Sequence, residues 1–152
     1  MTADEDAPIG AGETLARYIL EKDRIRGRST SEPSVKPGAF IPRPHLELSV
    51  TCHKGLTEAE IWQLGQDVAE KRTEREGRVR TLYGRADIQC ATIGEIARKY
   101  EAAARLTAVL SEPPRNHVNI VGWPADAQMQ DVIAQELAAS AKYRPNEFKQ
   151  DP

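Results

Sequence analysis

Apolar and polar residues alternate most clearly over 46–52, where Leu46, Leu48, Val50 and Cys52 interleave with Glu47, Ser49, Thr51 and His53. This is the period-two pattern of a half-buried strand, and it places His45, Glu47, Ser49, Thr51 and His53 on one polar face. Thr57 followed three residues later by Glu60 is a capping box. Behind it Ile61, Leu64 and Val68, with Trp62 alongside, form the apolar stripe of a helix over 57–73 that stops at Gly77. Upstream, Leu15, Tyr18, Ile19 and Leu20 among charged residues suit a short amphipathic helix from Thr14 to Ile25. Downstream the pattern predicts strands at 79–83 and 86–91 around a bend at Gly84, then a helix over 93–104 opened by Thr92 and Glu95. Residues 106–110 fit helix or strand and are read as a strand. Pro113-Pro114 ends it. A strand follows at 117–121, and Asp126 caps a final helix over 126–141 that buries Met129, Val132, Ile133 and Leu137.

These elements describe an α+β two-layer sandwich: a mixed sheet of about four to five strands with two to three helices packed on one face. The other face would display His45, Glu47, Ser49, His53 and His117. Residues 1–12, acidic and glycine-containing, hold too little apolar material to offset chain entropy and are expected to be flexible. Residues 13–142 form one domain, including an extended arm at 29–44 that carries Pro33, Pro37, Pro42 and Pro44. The polar residues 143–152 are expected to be a flexible tail.

The segments Phe40-x-Pro42, Leu48-Ser-Val50, Gly55-Leu56, Ile61-Trp62-x-x-Gly65, Leu82-Tyr-Gly-Arg-Ala86 and Pro113-Pro-Arg-x-His117-x-Asn-Ile-x-Gly-Trp-Pro124 resemble a family of small bacterial proteins of unassigned function. The resemblance covers about residues 35–140. It implies a stand-alone bacterial domain and carries no activity or site with it.

Composition narrows the picture. A chain of 152 residues fits one domain, and 39% hydrophobic residues with only 5% aromatic imply a mainly aliphatic core. Twenty-one basic and twenty-three acidic residues leave a net charge of −2, so there is no overall field to hold a polyanion. Nucleic acid is thus disfavoured as a partner. It would need a local patch, for which Arg24, Arg26 and Arg28, or the basic residues from Arg72 to Arg85, are the material. No apolar run approaches the roughly 18 residues that span a bilayer. The acidic start lacks the basic-then-apolar plan of a signal peptide. Two cysteines without an export signal read as reduced thiols. The expectation is a cytoplasmic protein without a membrane segment.

No motif specifies a cofactor. Cys52, His53, Cys90 and His117 are zinc-type ligands, but without paired spacing, and Cys52 and His53 should point to opposite faces of their strand; no metal site is expected. The same alternation argues against Cys52 as a nucleophile activated by His53. His45 and His117 each open a strand. Were those strands adjacent and parallel, one imidazole could act as base and the other as acid on a phosphodiester. This resembles two-histidine phosphoesterases, whose His-x-Thr/Ser-x motif is broken here by Glu47 and Asn119. The loop 113–124 concentrates Arg115, Asn116, His117, Asn119 and Trp123, and with Arg43 of the arm it offers interface anchors. The reading is a protein-binding or accessory module acting through the proline-rich arm and the 113–124 loop. The alternative is a small phosphoesterase or transferase for a phosphorylated or nucleotide ligand, with His45 and His117 as its catalytic pair.

Overall fold

The computed structural model describes residues 9–42 and 46–147. Its elements follow in the order β1 (Thr14–Ile19), β2 (Ile25–Arg26), β3 (Ser34–Val35), β4 (Leu48–Cys52), α1 (Glu58–Glu76), β5 (Gly84–Gln89), α2 (Cys90–Lys99), β6 (Thr107–Leu110), β7 (His117–Val121), α3 (Ala127–Ser140) and β8 (Lys142–Pro145). Six strands make one sheet in the order β6-β7-β4-β1-β5-β8, while β2 and β3 form a separate two-stranded ribbon. The fold is α+β, as the hydrophobic pattern predicts. Every pairing in the large sheet is antiparallel, however, so the sheet is neither mixed nor limited to five strands.

The segment Thr14–Ile19 is a strand and not the expected helix, and it lies in the middle of the sheet between β4 and β5. Leu15 and Ile19 face one side, in the main core with Val50, Cys52 and Ile88. Tyr18 and Leu20 face the other, in a second cluster with Ala69 and Leu82. A strand covered on both faces has no polar side, so its apolar residues fall by chance at helical spacing. The two clusters also correct the layering. Helices α2 and α3 bury Ile93, Ile96, Ile133 and Leu137 on one face, whereas α1 lies on the opposite face, so the sheet sits between two helical layers.

The predicted starts and stops fare unevenly. The capping box of Thr57 and Glu60 is formed in both directions, and α1 ends at Gly77 with φ 75°. Asp126 caps α3 through the Gln128 amide. By contrast α2 begins directly from β5 at Cys90, without the box of Thr92 and Glu95, and residues 79–83 do not form the expected strand. The C-terminal residues 142–145 are not frayed: β8 pairs with β5, Tyr143 packs on the core, and the Asn146 side chain donates to the Leu82 carbonyl. At the other end the Ile9 amide donates to the Ala108 carbonyl and the Ala91 amide to the Ala11 carbonyl, tying 9–11 down. The arm is not free either. Its single-turn helix Pro37–Phe40 packs against α3 with Phe40 wholly buried.

Helix α1 reaches the sheet closely because of one glycine. A Cβ at Gly65 would stand 2.6 Å from the Tyr18 ring and 3.0 Å from Leu82, and the Tyr18 hydroxyl donates to the Ile61 carbonyl at 2.6 Å. Gly65→Ala should therefore destabilise the domain by about 1–3 kcal/mol, despite the better helix propensity of alanine. Urea denaturation would read this as a lower midpoint at unchanged slope.

Candidate functional site

The α1 face of the sheet carries two polar systems, one closed and one open. The closed one centres on Arg85, whose side chain is 1% exposed. Its Nη atoms donate to both oxygens of Glu58 at 2.7 and 2.9 Å, its Nε donates to Asp87 at 3.0 Å, and its guanidinium lies 4.7 Å from the centre of the Trp62 ring. Asp87 also receives Arg144 at 3.2 Å, and His53 Nε2 lies 3.4 Å away but out of line for a hydrogen bond. Burial alone would raise the Asp87 carboxyl; the hydrogen bonds and charge of Arg85 outweigh it and hold that carboxyl below its usual range. For Glu58 the Arg85 hydrogen bond is the main cause of the same downward shift. This network fastens the start of α1 to β5. His53 lies beside this structural clamp and away from the open system.

The open system lies where α1 stops covering the sheet. Beyond β1, Ser49 and Thr51 of β4 and His117 of β7 form a floor, with Val68, Lys71, Arg72 and Arg75 of α1 as the wall; this stretch has a volume of about 300 Å³. Towards the 113–117 loop it continues into a recess of about 330 Å³ edged by Leu64, Asp67, Glu70, Glu74, Pro114 and Arg115. Arg115 reaches Glu60 at 3.0 Å and closes that end against α1. At the opposite end the groove meets a pocket of about 340 Å³ lined by Arg17, Arg24, Arg72, Gly38 and Ala39. The β1–β4 ladder stops at Ala16↔Thr51, and there Arg17 turns its guanidinium to the carbonyls of Ala39 and Ser49 at 2.8 and 2.9 Å.

The sequence-predicted residues separate into groups. His117 faces the groove, with Nδ1 2.8 Å from the Ser111 carbonyl; that bond puts the ring proton on Nδ1 and leaves Nε2 as the accepting nitrogen. Asn119 bonds Ser111 and Ser49 on the same face. Asn116, with φ 60°, donates to the Cys52 and Lys54 carbonyls and shapes the loop. Trp123 is not a surface anchor: it is 6% exposed, and its indole N–H donates to the Ile120 carbonyl at 2.9 Å. Arg43 and His45 lie outside the described residues. The parallel pairing that a two-histidine site needs is absent in any case, because β4 and β7 are adjacent but antiparallel, with His117 opposite Thr51 at the far end of β4 from its start. Cys52 and Cys90 are buried free thiols, and burial pushes both pKa values up, the reverse of an activated nucleophile. Among the described residues no group of His, Cys, Asp or Glu is placed to hold a metal ion, and no helix is long and apolar enough to cross a membrane.

Sequence reasoning missed Arg17 and Lys71, and it met Arg75 only among the basic residues from Arg72 to Arg85. The recurrence of basic residues at α1 positions 71, 72 and 75 reads as an ordinary solvated face, and no sequence pattern marks Arg17. No family model, curated protein or solved structure matches this chain. The candidate site rests on its own geometry.

The clamp makes a stability prediction. Asp87→Ala strips the buried Arg85 of one of its two carboxylates and should cost about 3 kcal/mol, whereas Arg144→Ala at the exposed rim should cost less than about 1 kcal/mol. Because the folded Asp87 pKa is depressed, its stabilisation is complete above the usual carboxylate value near about 4 and is lost as pH falls through the lower folded value. Urea midpoints measured down this pH range should drop more steeply for the wild type than for Asp87→Asn.

Proposed function

We propose that this chain is a binding module that seats an acidic segment of a partner protein in the groove between α1 and β4–β7. The observation that carries the reading is the basic wall beside a polar floor: Lys71, Arg72 and Arg75 line the groove with the exposed Ser49, the half-buried His117 and the buried Thr51, in a chain whose net charge is −2. Both segments that the sequence marks as interaction elements border this groove. Gly38, Ala39 and Ile41 of the arm edge one end, and Pro114, Arg115 and His117 of the 113–124 loop edge the other. The Ser49 hydroxyl and the His117 imidazole can hydrogen-bond an extended backbone, and Val68 with Leu64 supplies apolar contact. Charge sets the direction. Asp67, Glu70 and Glu74 line the loop end, so the acidic part of the segment belongs at the Arg17 end. A catalytic reading has less support: among the described residues the His117 ring bonds the Ser111 carbonyl through Nδ1, which orients the imidazole without setting a charge beside it.

Amide NMR of the full chain with a short Glu-rich peptide, and with a Lys-rich peptide of the same length, tests this. The Glu-rich peptide should shift Ser49, Thr51, Val68 and Lys71 selectively, and the double reversal Lys71→Glu with Arg75→Glu should weaken it about tenfold or more. Shifts scattered over the surface, or an affinity indifferent to the reversal, would overturn the assignment.

A further inference from the structure

The pocket at the arm end of the groove gathers three arginines from three separate elements. Arg17 comes from β1, Arg24 from the single-turn helix Lys22–Arg24, and Arg72 from α1. Their neighbourhood is short of negative charge. Glu21 is shared by Arg24 at 3.4 Å and Arg80 at 3.6 Å. Glu76 is shared by Arg72 at 3.1 Å, Arg75 at 3.9 Å, Arg78 at 3.8 Å and Arg80. Among the described residues five arginines thus meet two carboxylates, and the hydrogen bonds that hold Arg17, the sixth, go to carbonyl oxygens. Carbonyls fix its position without cancelling its charge. Burial, followed by the repulsion of Arg72 and Arg24, brings the Arg17 pKa down to about 10, so it remains cationic at neutral pH.

Keeping guanidiniums together against that repulsion costs stability, which an anion in the pocket would recover. The donors are available for one. A guanidinium has five N–H groups; Arg17 spends Nε and Nη1, Arg72 spends Nε and Nη2, and Arg24 is engaged through Nε. The backbone is shaped to fit as well. A side chain at Gly38 would collide with the Arg24 guanidinium, so a residue without Cβ is what lets Arg24 lie flat across the 37–40 turn.

We propose that this pocket is a binding site for a phosphomonoester dianion. Three guanidiniums lining one pocket supply donors enough for the several oxygens of a phosphoryl group, more than the two oxygens of a carboxylate call for. A volume of about 340 Å³ leaves room for the group that the phosphate is attached to. Arg17 and Arg72 border the groove as well, but Arg24 and Gly38 border this pocket and not the stretch over Ser49 and His117, so variants at Arg24 probe the pocket alone.

The test is calorimetric titration of the full chain with inorganic phosphate, phosphoserine and AMP, at constant ionic strength set by sodium chloride. All three should bind saturably, with the two esters at least as tight as free phosphate. A preference for phosphoserine would assign a phosphorylated side chain, and a preference for AMP a nucleotide. Arg24→Gln and Arg72→Gln, both at partly exposed side chains, should each weaken binding about tenfold. Glu21→Gln should strengthen it, an outcome that misfolding cannot imitate. The proposal is overturned by binding that chloride abolishes at equal ionic strength, by affinities that neither arginine variant changes, or by a weaker Glu21→Gln variant. The reversal of Lys71 and Arg75 belongs to the groove reading, so the two assignments can fail separately.

Discussion

The pairing of buried Arg85 with Glu58 and Asp87 fixes where α1 lies, and the shape of the whole α1 face depends on it. A guanidinium withdrawn from water is tolerated only when its donors are satisfied by charge, and here one partner comes from the sheet and the other from the first turn of the helix. The helix is therefore fastened over β1 and β5 and cannot slide toward β4 without uncovering Arg85. Gly65 seated on Tyr18 holds the middle of α1 in the same track. Because α1 is anchored to one side, it leaves β4 and β7 uncovered. The groove is the direct result.

That offset also explains the charge distribution. The outer side of α1 has no sheet beneath it to demand apolar residues, so positions 71, 72 and 75 are free to be basic while 65 and 69 are held to glycine and alanine. Arg17 arises in a related way. It occupies a sheet position where β1 and β4 part company, and its side chain reaches the Ser49 carbonyl of β4, beyond the end of the ladder, together with the Ala39 carbonyl of the arm.

Where one face of an element is wet, the sequence was readable. The alternation over 46–52, the capping box at Thr57 and the stripes of α1 and α3 all gave the right element, because polar and apolar positions are separated by the same periodicity that the structure uses. Thr14–Ile19 was not readable, since a central strand between two helical layers hides both sides. Tyr143 and Asn146 looked like a tail because a four-residue edge strand is stabilised by a few tertiary bonds to Tyr83 and Leu82 and not by any local pattern. The site followed the same rule. His117 was visible as a strand-opening polar residue, whereas the arginine pocket joins residues 17, 24 and 72, a proximity that only the strand order creates. Trp123 misled because an indole beside turn residues looks like an anchor whether it points outward or inward.

The strand order also bears on how the chain reaches this state. β1 is made first but sits between β4 and β5, which arrive some thirty and seventy residues later. Its two neighbours must each close a long loop before it has a pairing partner, so little of the sheet can form from local contacts. During synthesis the segment from Thr14 to Leu20, apolar on both faces and with both edges unpaired, would wait exposed until β5 emerges. The order of assembly makes the middle of the finished sheet the most vulnerable part of the unfinished one.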